Sequence, residues 1–163
     1  MKTSEPSALL PMKRAQEAID ALRTQGQHPL SLLANAMAHL AWALEDINWV
    51  GIYLRQGDEL FLGPFFGRPA CTPLQRGQGV CWAALSAKQT LNVPDVQAFP
   101  GHIACDAASR SELVIPFIHK GESVGVLDVD SPRLNRFTAA EAALLEDIAA
   151  LLAPAAAQCQ KNL

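Results

Sequence analysis

The sequence has no cluster of lysine and arginine. Thirteen basic residues stand against sixteen acidic ones, for a formal net charge of −3, so the chain lacks the electrostatic footprint that nucleic-acid binding requires. No segment reads as the ~18–20 consecutive apolar residues of a membrane-spanning helix. Near the amino terminus, the apolar patch Ala8-Leu9-Leu10 is cut short by Pro11, far below the ~7–15 residue core of a secretion signal. A cytoplasmic protein with neither nucleic-acid nor membrane partners is therefore expected. In that compartment structural disulfides are rare, and cysteines are more often catalytic or metal-bound. Internal repeats, low-complexity tracts and βαβ alternation are also missing, which sets aside solenoids and parallel sheets.

What remains is an ordinary globular composition of 163 residues, half of them hydrophobic and 18% charged. A chain of this length buries about 70% of its unfolded surface, so the fold should stand without staples. We expect residues 1–28 to form an N-terminal extension carrying a helix, and residues 29–163 to form a single domain.

Leu33, Met37, Leu40, Leu44 and Ile47 recur at steps of four and three, which predicts a helix over 29–46, with a shorter one before it around 13–22. Residues 48–54 and 59–65 flank Gln56-Gly57-Asp58 and read as a hairpin. The stretch 63–79 is punctuated as loop, 80–88 reads as a helix, 90–93 as a short strand, and 94–110 as mostly loop. A second hairpin is expected from 113–118 and 123–130 around Lys120-Gly121-Glu122. Within it Pro116 cannot donate to a ladder, so an edge position or a bulge is implied. Thr138-Ala139-Ala140-Glu141 is a capping-box pattern opening a last amphipathic helix through Leu144, Leu145, Ile148, Leu151 and Leu152. Strands enclosed between terminal helices predict an α+β domain with an antiparallel sheet.

Three of the four cysteines fall in the loop-rich middle third. Cys105 lies among small residues and carboxylates in the run 101–112, where Pro100-Gly101 frees the backbone and a following helical turn would lower the thiol pKa. Cys71 and Cys81 also sit in loop context, and spacing does not decide between chemistry and packing for either. A zinc set of Cys71, Cys81, His102 and Cys105 is disfavoured, because the gap between the first two far exceeds a structural zinc knuckle. Cys159 has no polar company.

Asp128 and Asp130 occupy alternate positions of a predicted strand and share a face, with Leu127 and Val129 on the other. Aspartate is disfavoured in strands. Asp130 can be explained by the turn Asp130-Ser131-Pro132, but Asp128 cannot. Glu112 opens the neighbouring strand, giving a cluster of three carboxylates whose mutual repulsion could keep one protonated near neutral pH as a general acid. Trp49 and Tyr53 share a strand face, as core filler or as the wall of a cage for a cationic or sulfur-bearing group. His102 reads equally as a ligand-facing donor or a loop residue, while Trp42, His28 and His39 read as packing or surface residues.

Together, Asn48-Trp49-Val50-Gly51-Ile52-Tyr53, Gly63-Pro64-Phe65, Pro69-Ala70-Cys71, Gly79-Val80-Cys81, the run 99–109, Ser111-Glu112 and the run 125–131 closely resemble the free methionine-(R)-sulfoxide reductases, a GAF-domain family. The resemblance covers roughly residues 30–150. It implies a six-stranded antiparallel sheet with helices behind and a small-molecule pocket in front, and a homodimer. Carried over by motif, Cys105 corresponds to the catalytic thiol, Cys71 to the principal resolving thiol and Cys81 to an auxiliary one. Trp49, Tyr53, Glu112, Asp128 and Asp130 match positions lining the substrate pocket. Gln78, where the family often has a basic residue, and Trp82, where it often has a small one, are departures that bear on Cys81. The implied chemistry, in defence against oxidative stress, is reduction of free L-methionine-(R)-sulfoxide. It passes through a Cys105 sulfenic acid and a Cys71–Cys105 disulfide recycled by thioredoxin, with no metal or organic cofactor. The competing expectation is a non-catalytic GAF sensor of a small molecule.

Overall fold

A computed structural model describes residues 9–163; the first eight residues, where part of the expected extension falls, lie outside the described residues. The chain runs α1 (Leu9–Thr24), α2 (Pro29–Ala43), β1 (Trp49–Gln56), β2 (Glu59–Gly67), β3 (Leu74–Gln75), α3 (Gly79–Ala87), β4 (Leu91–Val93), a 3-10 turn (Val96–Ala98), β5 (Ser111–His119), β6 (Glu122–Ser131) and α4 (Ala139–Gln160). The strands form one six-stranded sheet in the order β3-β2-β1-β6-β5-β4, every neighbouring pair antiparallel.

Period-two alternation divides this sheet into two chemically different faces. Val50, Ile52, Leu54, Leu113, Ile115, Phe117, Leu127 and Val129 point back into the main core with α1, α2 and α4. Trp49, Tyr53, Val114 and Val126 point forward into a second, smaller cluster built with α3. Each fully buried Leu, Ile or Phe on the back face contributes roughly 1.5–3 kcal/mol, so the helical layer fixes the strand register and leaves the front face free to carry chemistry. Met12, Ala15 and Ile19 of α1 belong to that same back core.

Most predicted elements are present, with differences of physical interest. The second helix stops at Ala43, because Leu44 turns extended and Asp46 takes a left-handed φ of 52°. His28 is a surface residue as expected, and it also caps α2, its Nδ1 accepting from the Leu30 amide. Pro116 has both of the features its ring demands: β4 pairs no further than Val114, and the β5–β6 register slips between Phe117 and Ile118. The Thr138 capping box is formed in full. One expectation needs correction. The 22-residue α4 is long and apolar enough to cross a membrane by length and composition, and half of its most apolar stretch is buried inside the fold. Its buried side, through Leu145, Ile148, Leu152 and Ala156, joins the back core with the sheet, α1 and α2, while Glu146 and Asp147 face outward.

Candidate active site

Strand pairing alone assembles the acidic cluster. Across the front face Trp49 pairs with Asp130, and Asp130 with Glu112, in one row; Gly51, Asp128 and Val114 form the next. The three carboxylates expected to share a face therefore do so, while Leu127 and Val129 lie in the back core. Gly51 is required here. A Cβ at this position would stand 2.6 Å from the Phe65 Cβ and collide with the outer edge of the Trp49 ring at Cη2 and Cζ3, so only a bare backbone lets the indole fold across the strand. Trp49 then stacks on Tyr53 at 5.9 Å and on Phe65 at 5.6 Å between ring centroids. Core filler and pocket wall prove to be the same thing for Trp49 and Tyr53, which are buried yet line the cavity.

That cavity, of about 600 Å³ including its open mouth, is floored by Glu112, Asp128 and Asp130 and bounded by Trp49, Tyr53, Cys81, His102 and Cys105. At its rim Cys71 and Cys105, 34 residues apart in sequence, are joined in a disulfide with their Cα atoms 5.6 Å apart. Cys105 is exposed and Cys71 half-buried. The disfavoured zinc set is not available in this state, because two of its four residues are bonded to each other.

Cys81 is buried, and its thiol donates to Asp128 Oδ2 at 3.4 Å. Burial first, and then the charge of Asp128, push the thiol well above its ordinary pKa, so Cys81 is protonated and poorly nucleophilic. Among the described residues Cys81, Glu112 and Asp128 are the one group close enough to share a metal ion. Cys159 packs at the edge of the back core, away from this cluster.

The carboxylates are unequal. Burial, followed by the charges of Asp128 and Asp130, pushes Glu112 well above the usual range, and the hydrogen bond between Glu112 and Asp128 leaves the proton on the glutamate. Asp128 is pushed up to about 6 by burial, opposed by the hydrogen bonds it accepts from Cys81 and Glu112. Burial and the Asp128 charge likewise raise Asp130. Asp128 Oδ1 is buried with no partner among protein groups. The site thus holds a protonated carboxyl beside a buried carboxylate.

Sequence reasoning missed the groups that hold the thiol loops. No helix follows Cys105. Asp106 takes the Ala108 amide for itself at 2.9 Å and also accepts from Asn48 Nδ2, which donates to Ser109 Oγ as well. These bonds hold the Asp106 carboxyl below its usual range. Asn48 directly precedes Trp49 in the strand motif, and that adjacency was the only signal for its role. On the opposite rim, Trp49 Nε1 donates to the Arg68 carbonyl and Tyr53 Oη to the Cys71 carbonyl. Trp82 donates to the Leu74 carbonyl at 3.0 Å, so this departure from the family pattern ties α3 to β3. His102 lines the cavity, with burial lowering its pKa.

Residues 28–156 match the GAF domain family. The chain is 50% identical over 109 residues to the free methionine-R-sulfoxide reductase of Escherichia coli, an alignment that covers 67% of this chain and 66% of that protein, just under two thirds of its length. It is 44% identical over 126 residues to the free methionine-R-sulfoxide reductase of Saccharomyces cerevisiae, covering 75% of this chain and 68% of that one. Among solved structures, the free methionine-R-sulfoxide reductase of Neisseria meningitidis in complex with its substrate superposes with a TM-score of 0.86. The two are 36% identical, covering 98% of this chain and 95% of that one.

Proposed function

The chain belongs to the GAF family and, within it, to the free methionine-(R)-sulfoxide reductases, and from that premise we propose that it reduces free L-methionine-(R)-sulfoxide to methionine, taking its electrons from a thiol pair. The observation that carries the reading is the Cys71–Cys105 disulfide at the rim of a pocket floored by buried carboxyls.

The Cys105 thiolate attacks the sulfoxide sulfur while Glu112, the carboxyl best placed to hold a proton near neutrality, donates to the oxygen. The oxygen passes to Cys105 as a sulfenic acid, and methionine leaves with its sulfur lone pair restored. Cys71 then attacks the Cys105 sulfur; its proton and the sulfenic hydroxyl leave as water, and the disulfide forms. An external dithiol, thioredoxin in this proposal, returns both thiols by exchange. Exposure of Cys105 supports that step, because the incoming thiolate must reach a sulfur of the bond. Cys81 is auxiliary, its buried and protonated thiol being too weak a nucleophile to resolve first. A homodimer is the proposed assembly, and no metal or organic cofactor enters the scheme.

Selectivity for the free amino acid follows from charge. The ammonium is matched in charge by Asp128, with Asp130 beside it, and the Trp49–Tyr53 wall takes the side chain. A methionine sulfoxide inside a polypeptide has lost that ammonium, and losing a charge-assisted bond costs about 1.5–3 kcal/mol, roughly tenfold or more in affinity. The reading is tested by thioredoxin-coupled NADPH oxidation with free methionine-(R)-sulfoxide, the free S epimer, and an N-acylated, C-amidated R-sulfoxide. Consumption is expected with the first alone. A sensor would bind its ligand and consume nothing.

A further inference from the structure

The rings of Trp49 and Tyr53 serve the pocket, but their polar tips are spent elsewhere. Tyr53 Oη donates 2.8 Å to the carbonyl of Cys71 itself, and Trp49 Nε1 donates 3.2 Å to the carbonyl of Arg68. One residue further along, Thr72 Oγ1 accepts from the Leu62 amide of β2 at 3.2 Å. Three anchors thus fall on residues 68, 71 and 72, and they tie the short segment carrying one thiol to the sheet that carries the pocket.

We propose that this clamp makes Tyr53 and Thr72 positioning residues for Cys71, holding its backbone where the thiol meets the Cys105 sulfenic acid. The inference rests on the reading of Cys71 as the resolving thiol and adds what places it there. The two cysteines are 34 residues apart, so nothing local brings them together, and an untethered loop pays closure entropy each time it approaches. The step served is Cys105–SOH plus Cys71–SH giving the disulfide and water: the S–O bond breaks, the S–S bond forms, and the Cys71 proton leaves with the hydroxyl. Neither hydroxyl takes part in that chemistry, so removing one changes how often the thiol is in place.

The test measures the lifetime of the Cys105 sulfenic acid by dimedone trapping at set delays, with mass spectrometry locating the adduct. Reduced protein is oxidised in two arms, by free methionine-(R)-sulfoxide and by hydrogen peroxide. Peroxide delivers its oxygen to the thiolate without using the substrate pocket and leaves as hydroxide. Tyr53→Phe, which keeps the ring, and Thr72→Ala, which lies outside the pocket, each lengthen the lifetime about two- to tenfold, the range that loss of one net hydrogen bond predicts. In the sulfoxide arm Thr72→Ala releases its first methionine at the parent rate. Trapping equal to the parent in both variants overturns the clamp, and Thr72→Ala decides alone if Tyr53→Phe does not fold. A parent inert to the sulfoxide overturns the proposed function instead, and the peroxide arm still decides the clamp.

Discussion

Two thiols of unlike surroundings divide the labour at the scale of the residue. Cys105→Ser abolishes turnover. Cys71→Ser releases about one methionine per subunit and then stalls with thioredoxin, a contrast read by counting methionine against enzyme. Glu112 must carry its proton to act, and burial raises its pKa, so kcat is sustained at neutral pH and falls as pH climbs through that raised value. Glu112→Gln removes this alkaline limb and lowers kcat by about 10²–10⁴-fold, the usual worth of a general acid. The same burial has a stability signature. Between its ordinary value of 3.8 and about 6, the Asp128 carboxyl binds more proton in the folded chain than in the unfolded one. Its contribution is therefore full below the lower value and lost as pH rises through the upper one, a loss on the order of 3 kcal/mol. Asp128→Asn escapes that loss, so its Tm gains on the parent as pH is raised from 4 to 7.5.

Elements explain which parts of this site could be read from the chain. Alternation in β6 put Asp128 and Asp130 on one face, and the turns at Gly57 and Gly121 fixed the two hairpins whose pairing brings Glu112 opposite Asp130. Those signals are local and periodic. The two-residue β3 has no period to show, and the fold of 68–73 over the pocket depends on Trp49 and Tyr53 hydrogen bonds that arise only once the sheet exists. The amphipathic pattern of residues 138–152 understates the apolar length of α4, half of whose most apolar stretch is buried against neighbours that the chain supplies from far away. Two substitutions probe elements directly. Thr138→Ala removes the hydroxyl that accepts the Glu141 amide and lowers stability by about 1 kcal/mol, seen as a lower Tm with unchanged kcat, because the α4 cap is remote from the cavity. Gly51→Ala forces a methyl group into the Trp49 ring and costs about 1–3 kcal/mol, with a raised KM because the displaced indole is a wall of the pocket.

In the whole molecule, a back core of helices against the sheet carries stability and leaves the front for chemistry. The disulfide belongs to the front. It closes a loop across 34 residues, worth up to about 4 kcal/mol by chain entropy, yet none of the back core depends on it. The reduced protein is therefore expected to unfold cooperatively at a lower Tm while keeping its native circular dichroism at 25 °C. The central claim is that one oxygen atom removed from the free sulfoxide costs this chain one thiol pair, Cys71 with Cys105. Its most direct test is a single turnover without external reductant: fully reduced protein is mixed with excess free methionine-(R)-sulfoxide, methionine and free thiols are counted, and the disulfide is mapped by mass spectrometry. The account predicts one methionine per subunit, the loss of two thiols, and a bond joining Cys71 to Cys105. Methionine released with all four thiols intact, or a first disulfide made by Cys81 or Cys159, would contradict it.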